Sequence, residues 1–476
     1  MLNFEATIGI EVHVALNTKT KMFSASPVSA TSEPNTNINE IDMGLPGALP
    51  SPNVAACKKA IMLAHALKMQ IATTLSFDRK NYFYYDLPKG YQITQHVNPI
   101  GKNGVIDVGG CLVHIEQIQL EEDTAKQIDV FGKLCLDYNR SGVPLIEIIS
   151  KPDMHTAEEA LAYLNQLRLI LIYLDISDAK MENGSFRADI NVSVTLRGAK
   201  TLGTKVEIKN INSFNNIKDA INYEIERQQK QLLNNELITP STRRWDETKH
   251  QTIFMREKTT LVGYHYFPEP NIMPIDIHEL VVAITKKVPE LPSDALAYLL
   301  NKNINKIIAE QIVDDFNLYK LFKIVLEATN LPNQTINWVV NELPFYLKQS
   351  NKGYDSCSPT LVNNIIELIK LIDKQEINNK QAKTIFEKMY SSNESPKSLI
   401  EKLNFKQITD PTIIRQHLTN IIKQNASVVA TYKQNPTRVV KLLIGLLMKE
   451  TQGQANPIVA NDVLIELINS YNNFNE

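Results

Sequence analysis

The sequence predicts an α+β protein, with strands concentrated before about residue 275 and helices dominating afterwards. Two patterns carry this. Most of the glycines, turn signals and period-2 alternation fall in the first part, whereas apolar residues beyond it recur at helical spacing in segment after segment. The bulk composition agrees: 476 residues, 43% hydrophobic and 21% charged, give room for two to four domains with substantial cores.

The first strand is the clearest element. Ile8, Ile10, Val12, Val14 and Leu16 point one way, while Gly9, Glu11, His13 and Ala15 point the other. Further strands are predicted around residues 92–94, 105–108, 112–120, 145–149, 188–194 and 204–208. Two amphipathic helices interrupt them. One opens on a Thr156-x-x-Glu159 capping box and carries Leu161, Leu164, Leu167 and Leu171. The other follows Ser213 and repeats Ile217, Ile221 and Ile225 at i+4 spacing. Residues 288–293, VPELPS, read as a linker because paired prolines discourage helix on either side. The organisation expected is therefore a first domain over 1–290, a helical domain over 291–404 and a small tail over 405–476, with the softer second boundary near 405–411.

A formal net charge of −2 gives no global attraction to nucleic acid, so any RNA contact must use a local basic surface. The tail is mildly basic, with eight Lys/Arg against five Asp/Glu from Lys402 onward. Cys57, Cys111, Cys135 and Cys357 lie far apart with no C-x-x-C pair, which fits a reducing cytoplasm and neither a zinc knuckle nor a disulfide framework. The start lacks the pattern of a secretory signal, and no apolar run reaches the ~18 residues of a membrane span. A cytoplasmic protein without membrane attachment is expected.

Several nucleotide and nucleophile motifs are missing. Gly101-Lys102 and Gly132-Lys133 lack the following Ser/Thr of a P-loop, and no G-x-G-x-x-G occurs. There is no G-x-S-x-G or G-x-C-x-G elbow, and residue 2 is Leu2, so the chain has no evident means of releasing ammonia from glutamine by itself.

Acidic side chains recur instead beside bases and glycines, at Glu11-Val-His13, Glu121-Glu122-Asp123, the segment from Asn139 to Glu147, the segment from Glu182 to Asp189, and Lys205-Val-Glu207-Ile-Lys209. Glu11 and His13 share a strand face with Cα atoms roughly 7 Å apart, and Asp189 shares one with Asn191. Carboxylates from neighbouring strands with one imidazole form a hard-ligand set suited to Mg²⁺ or Mn²⁺, ions that neutralise charge in phosphoryl transfer. Arg79, Lys80, Arg187, Lys205 and Lys209 are suited to phosphate oxygens. Spacing alone leaves bland readings open: a solvated strand face for Glu11 and His13, a solvated turn for 121–123, exposed sheet charge for Lys205 and Lys209, and an aromatic core strand for 77–86.

Taken in order, eleven segments resemble the B subunit of the aspartyl/glutamyl-tRNA(Asn/Gln) amidotransferase: IGIEVHVALNTKTKMFS, EPNTN, GLPGALP, FDRKNYFYYDLPKGYQITQ, LEEDTAK, DYNRSGVPLIEIISKPD, KMENGSFRADINVSV, GTKVEIKNINSF, TRRWDE, YFPEPN and GQANP. They are collinear and cover nearly the whole chain. The resemblance implies a mostly antiparallel-sheet cradle domain, glutamine synthetase/guanido kinase-like, then an all-α helical domain and a small α-helical tail that helps hold the tRNA body. It implies ATP-dependent phosphorylation of the side-chain carboxylate of Glu-tRNA(Gln), Asp-tRNA(Asn) or both, and partnership with an amidase (A) subunit and a small (C) subunit in a heterotrimer. It makes Glu11, His13, Glu122, Glu147 and Asp189 the expected catalytic and metal-holding set, with the choice between Glu121 and Glu122 open, and Lys80, Arg187, Lys205 and Lys209 the expected phosphate or carboxylate contacts. The expected cofactors are ATP and Mg²⁺, with Mn²⁺ able to replace it.

The chain also departs from the family pattern. Asn39 and Asp42 stand in a region where some members carry zinc-binding cysteines, so no zinc is expected. Where YRYFPEPD is common, His265 and Asn271 replace the Arg and the Asp, which puts a phosphate-binding role for that segment in doubt. Ala125 stands where Gly is common. These departures motivate a second reading, a non-catalytic tRNA-binding scaffold, and a third is a stand-alone metal-dependent hydrolase. Glu11, His13, Glu147 and Asp189 together speak against the scaffold, and the missing glutaminase speaks against self-sufficiency.

Overall fold

The structure is a computed structural model that describes residues 3–29, 33–257, 264–403, 405, 408, 410–432, 434–451 and 453–473. It divides into two compact units, Met1–Ala295 and Leu296–Glu476. The expected boundary at 404/405 begins on Asn404, outside the described residues.

The strands of the first unit are, in chain order, β1 (Phe4–Ala15), β2 (Gln70–Ile71), β3 (Thr74–Leu75), β4 (Asp78–Asn81), β5 (Tyr91–Thr94), β6 (Gly101–Val108), β7 (Cys111–Glu122) and β8 (Lys126–Val130). They continue with β9 (Lys133–Asp137), β10 (Pro144–Ser150), β11 (Phe186–Leu196), β12 (Val206–Lys209), β13 (Ser241–Asp246), β14 (Gln251–Glu257), β15 (His265–Pro268) and β16 (Ile275–Asp276). Nine form one sheet in the order β14-β13-β12-β11-β1-β10-β7-β6-β2. Every pairing in it is antiparallel except β12 with β13. A smaller sheet, β15-β4-β5, supplies further side chains to the site.

The alternation of β1 decides which face of the large sheet is core. Ile8, Ile10, Val12 and Val14 are fully buried and pack with Ile146 and Ile148 of β10 and with Ile190 and Val192 of β11. Helices α1 (Val54–Ala66), α2 (Ala157–Tyr173) and α3 (Phe214–Leu233) supply the rest of that core through residues such as Ile61, Leu164, Leu167, Ile217 and Ile221. Each such side chain contributes about 1.5–3 kcal/mol of burial free energy. The capping box of α2 forms as its sequence requires: the Glu159 amide donates to Thr156 Oγ1 at 3.1 Å, and the Thr156 amide donates to Glu159 Oε2 at 3.3 Å. A bulge at Ile149/Ser150 breaks the β10–β7 register. There Ser150 Oγ accepts from the Ile10 amide at 2.9 Å, a side-chain partner for a buried β1 donor.

The linker predicted over 288–293 is shorter than expected. Pro292 opens a helix, Pro292–Asn301, since a proline in the first turn has no amide to satisfy there, and Asp294 Oδ2 accepts from the Leu291 amide at 3.1 Å.

The second unit is helical throughout, apart from short turns and one isolated bridge, among the described residues. It includes a π-helix over Ile336–Glu342, and near its C-terminal end Ile414, Leu418, Leu443, Leu447, Leu464 and Ile468 belong to a separate hydrophobic cluster. Among the described residues no helix is long and apolar enough to cross a membrane.

Because Ile10 is core while its neighbours face the other way, Ile10→Ala is expected to cost about 2–5 kcal/mol of stability in chemical denaturation. A loss below about 1 kcal/mol would contradict the assignment of this face to the core.

Candidate functional site

The face of the large sheet opposite the core is polar and acidic, and strand register assembles it. Across β1, Glu11 lies opposite Asp189 and His13 opposite Arg187 on one side, while His13 lies opposite Glu147 on the other. Glu147 is in turn opposite Gln119 of β7, and Asn191 of β11 is opposite Glu207 of β12. Since antiparallel partners project to the same face, these residues form a continuous polar strip across five strands.

Two ligand groups emerge within it. His13, Glu121 and Glu147 each bring a donor atom within 4.8 Å of the others, and so do Glu11, Asp189 and Glu207. In the first, His13 Nε2 lies 3.5 Å from Glu147 Oε1 and 3.9 Å from Glu121 Oε2. Glu121 accepts from Thr94 Oγ1 at 2.8 Å and from Gln119 Nε2 at 2.9 Å, and Gln119 also donates to Glu147. Burial pushes the His13 pKa down, so its ring is held neutral, the form in which imidazole binds metals. Burial, reinforced by the neighbouring Glu121 carboxylate, raises the Glu147 pKa well above the usual carboxylate range. Glu121 is shifted the other way: its burial works against ionisation, but Lys80, with the hydrogen bonds from Thr94 and Gln119, holds it lower than an ordinary glutamate.

Two lysines neutralise part of this charge. Burial works against the Lys80 charge, but Glu121, Tyr266 and Glu147 raise its pKa above that of an ordinary lysine. The small sheet places it there, with Lys80 of β4 opposite both Gln92 of β5 and Tyr266 of β15, and its ammonium 4.6 Å from the Tyr264 ring centroid. Lys209 Nζ lies 2.5 Å from Asp189 Oδ2 and 3.5 Å from Glu207 Oε1. The same carboxylates raise its pKa against the burial that opposes it.

The donor chemistry fits a hard divalent cation. The His13 group offers two carboxylates and a neutral imidazole, and such a set, like charges crowded together and partly protonated, is what a divalent cation satisfies.

The comparisons with known proteins bear on the same stretch. Residues 6–283 match the family model described as the GatB/GatE catalytic domain, and residues 320–468 match the one described as the GatB domain. A protein of Ureaplasma urealyticum serovar 10, named as the B subunit of aspartyl/glutamyl-tRNA(Asn/Gln) amidotransferase, is 45% identical over 475 residues, covering 98% of this chain and 100% of that protein. The protein of the same name from Malacoplasma penetrans is 45% identical over 471 residues, covering 98% of each chain. This chain belongs to the B-subunit family of aspartyl/glutamyl-tRNA(Asn/Gln) amidotransferases. The resemblance read from its sequence motifs is shown.

Not every expected site residue of this family member lies in the two groups. Glu11, His13, Glu147 and Asp189 do. Glu122 does not, and the expectation that placed it in the ligand set is corrected: its carboxylate accepts from Lys89 Nζ at 2.5 and 2.6 Å and from the Ile93 amide at 3.0 Å. The carboxylate that meets His13 and Glu147 is Glu121. The signal was present, since Ile118 and Leu120 are core and therefore put Gln119 and Glu121 on the polar face. Glu207, absent from the expected set, is in the second group.

Among the expected phosphate contacts, Lys80 and Lys209 border the groups, and Arg187 donates to Asp123 Oδ2 at 2.9 Å, its buried Nε having no hydrogen-bond partner among the described residues. Lys205 is exposed just before β12 and is not brought to the groups. Asp42 anchors its loop as an acceptor from Lys21 Nζ at 3.2 Å, Ser24 Oγ at 2.7 Å and Ser26 Oγ at 2.6 Å. The His265 carbonyl accepts from Asn81 Nδ2 at 2.8 Å and the Asn271 amide donates to Glu269 Oε1 at 2.9 Å, so both substituted positions make backbone contacts. Of the stretch for which an aromatic core strand was left open, Phe77 is core but Phe83, Tyr84 and Tyr85 are exposed.

Mn²⁺ titration separates the two adjacent glutamates. Glu121→Gln is expected to weaken binding about 10–100-fold. Glu122→Gln should leave the affinity nearly unchanged and cost about 3–5 kcal/mol of stability through the stranded Lys89 charge. The reverse pattern would return Glu122 to the ligand set.

Proposed function

We propose that this chain activates the side-chain carboxylate of a tRNA-bound Glu or Asp by phosphorylation with ATP, and then hosts its amidation by ammonia from a partner amidase. The observation that carries this reading is the polar strip itself, where His13, Glu121, Glu147, Glu11 and Asp189 face the same side with Lys80 and Lys209 at their borders. The relatives' name, the B subunit of an amidotransferase, supports the reaction class and a multi-subunit assembly.

The chemical problem is that a carboxylate repels nucleophiles and has oxide as its leaving group. One carboxylate oxygen attacks the γ-phosphorus of ATP, the bond from that phosphorus to the bridging oxygen breaks, and ADP departs with the electron pair. Ammonia then attacks the acyl carbon, phosphate leaves with the C–O pair, and the nitrogen loses a proton to give the amide. His13, Glu121 and Glu147, and in the neighbouring group Glu11 and Asp189, would hold Mg²⁺ or Mn²⁺, which would supply neutralisation of the charge that develops in phosphoryl transfer. Lys80 and Lys209 offer ammonium groups to the transferring phosphoryl or to the substrate carboxylate, and Arg187 offers a guanidinium edge beside His13. The sheet holds these groups fixed, which is how a protein contributes most to phosphoryl transfer. No zinc is expected in this reaction.

The missing nucleophile elbow supports a division of labour in which the ammonia comes from an amidase (A) subunit, and the family resemblance implies a small (C) subunit that completes a heterotrimer. The scaffold reading leaves both carboxylate groups without a purpose. A cytoplasmic site of action fits a partner in translation.

The decisive assay combines this chain with its amidase and small partners, Mg²⁺, γ-labelled ATP and Glu-tRNA(Gln). Phosphate release is expected to depend on the charged tRNA, and release indifferent to it would sink the proposal. His13→Ala should lower that release by about 10²–10³-fold, the several kcal/mol that cation-borne charge stabilisation supplies. Unchanged turnover would remove His13 from the site. Deleting residues 405–476 should weaken tRNA binding more than ATP cleavage, and equal losses would contradict a tRNA-holding tail.

A further inference from the structure

Asp123 follows β7 directly, at the end of the polar strip, and is buried. Its main chain is tied to the turn before β10: the Asp123 amide donates to the Val143 carbonyl at 2.8 Å, and the Gly142 amide donates to the Asp123 carbonyl at 2.9 Å. Its Oδ1 accepts from the Thr124 amide at 2.9 Å, and its Oδ2 faces two guanidinium groups. Arg187 of β11, opposite His13 in the sheet, donates to that oxygen at 2.9 Å, and Arg140 Nε lies 3.7 Å from it.

Arg140 is held by other bonds. Its Nε donates to the Thr124 carbonyl at 2.9 Å and one terminal nitrogen donates to the Ala125 carbonyl at 2.8 Å, a fork that fixes the guanidinium plane without neutralising it. Two oriented positive charges therefore share one carboxylate. Both side chains stay 37% exposed, so each is pinned and still within reach of a ligand. Backbone bonds alone would tie the turn to the sheet; the second guanidinium adds repulsion between like charges, which an anion relieves. The absence of a P-loop and of G-x-G-x-x-G says which kind of anion. Phosphate oxygens that no glycine-rich main chain cradles must be met by side chains, and guanidinium groups bind them through paired N–H donors.

We propose that Arg140 and Arg187, bracketed by Asp123, form a phosphate subsite at the end of the polar strip, in which Arg140 binds the ligand and Asp123 positions both arginines. This deepens the phosphoryl-transfer reading and rests on it for the source of the phosphate, which is either ATP or the backbone of the tRNA. The subsite itself stands on the two fixed guanidinium groups.

The test titrates the full chain with a non-hydrolysable ATP analogue in Mg²⁺ and, separately, with uncharged tRNA(Gln). Arg140→Gln, which removes the charge but keeps amide donors for the two carbonyls, is expected to weaken one of these ligands about 10–100-fold. Loss confined to the analogue assigns the phosphate to the nucleotide. Loss confined to the tRNA, with the slope of log affinity against log salt smaller by about one, assigns it to the RNA backbone. Arg140→Lys keeps the charge and forfeits the fork, so it should retain more affinity than Arg140→Gln. The opposite order is what a merely structural arginine gives, and it overturns the proposal. Should Arg140→Gln fail to fold, which circular dichroism reports, phenylglyoxal labelling of Arg140 in the unmodified chain, read by peptide mass spectrometry, should be slowed by one of the two ligands. Affinities unchanged for both ligands, or labelling unchanged by both, overturn the subsite and leave the proposed function standing. No binding of either ligand to the unmodified chain overturns both.

Discussion

Everything at the candidate site depends on β1 being paired on both sides in one register. The strand alternates core-facing apolar residues with residues of the opposite face, and both neighbours are antiparallel, so its choice of face is imposed on β10 and β11. A slip of one residue would drive Glu11 and His13 into the helices and turn Ile10 and Val12 outward. Burying those isoleucines and valines against α1, α2 and α3 therefore does two things at once: it stabilises the fold and aims the acidic residues at the opposite side. The hydrogen bond from the Ile10 amide to Ser150 Oγ fastens the register at the bulge, where the neighbouring ladder loses regularity.

Much of this was legible in the chain. The alternation of β1, the capping box of α2 and the isoleucine stripe of α3 are local patterns, and local patterns survive folding when they agree with the tertiary structure. Four of the five expected ligands, Glu11, His13, Glu147 and Asp189, fall into the two groups for the same reason. The choice between Glu121 and Glu122 stayed open in the sequence because β7 changes phase along its length. Val113 and Ile115 are core in its first half and Ile118 and Leu120 in its second, so a residue counted from the wrong half lands on the wrong face. Glu207 was overlooked because β12 is only four residues long and its flanking lysines read as exposed charge.

What the sequence did not disclose is non-local. Lys80 comes to Glu121 and Glu147 on a separate small sheet, whose outer strand, β15, lies nearly two hundred residues further along the chain. No period within the FDRKN segment announces that pairing. The Glu269 clamp is of the same kind: Arg79 donates from Nε at 2.6 Å and from one terminal nitrogen at 3.0 Å, joining β4 to the turn after β15. Such bidentate pairs fix orientation as well as position, and this one holds β4, the strand that carries Lys80. The linker is a smaller case of the same lesson. Two prolines in VPELPS read as a break, yet the second is also a good first residue for a helix, and only the Asp294 contact decides between the two roles.

The charge arrangement itself argues for a ligand. Fold stability alone does not favour collecting Glu121 and Glu147 around a neutral imidazole, because like charges a few ångströms apart in a half-buried site raise the free energy of the folded state. The structure shows the consequence, a Glu147 held well above its ordinary range and therefore carrying a proton under conditions where an exposed glutamate would not. Lys80 relieves Glu121 but is shared, and Lys209 is occupied with Asp189 and Glu207. A sheet that served only as a scaffold would relax this by replacing any one of the acids with a neutral residue of similar size, at no loss to the core on its other face. Imidazole, carboxylates and lysines in register across five strands are what the proposed site for a cation and a phosphoryl group requires, and a passive surface has no need of them.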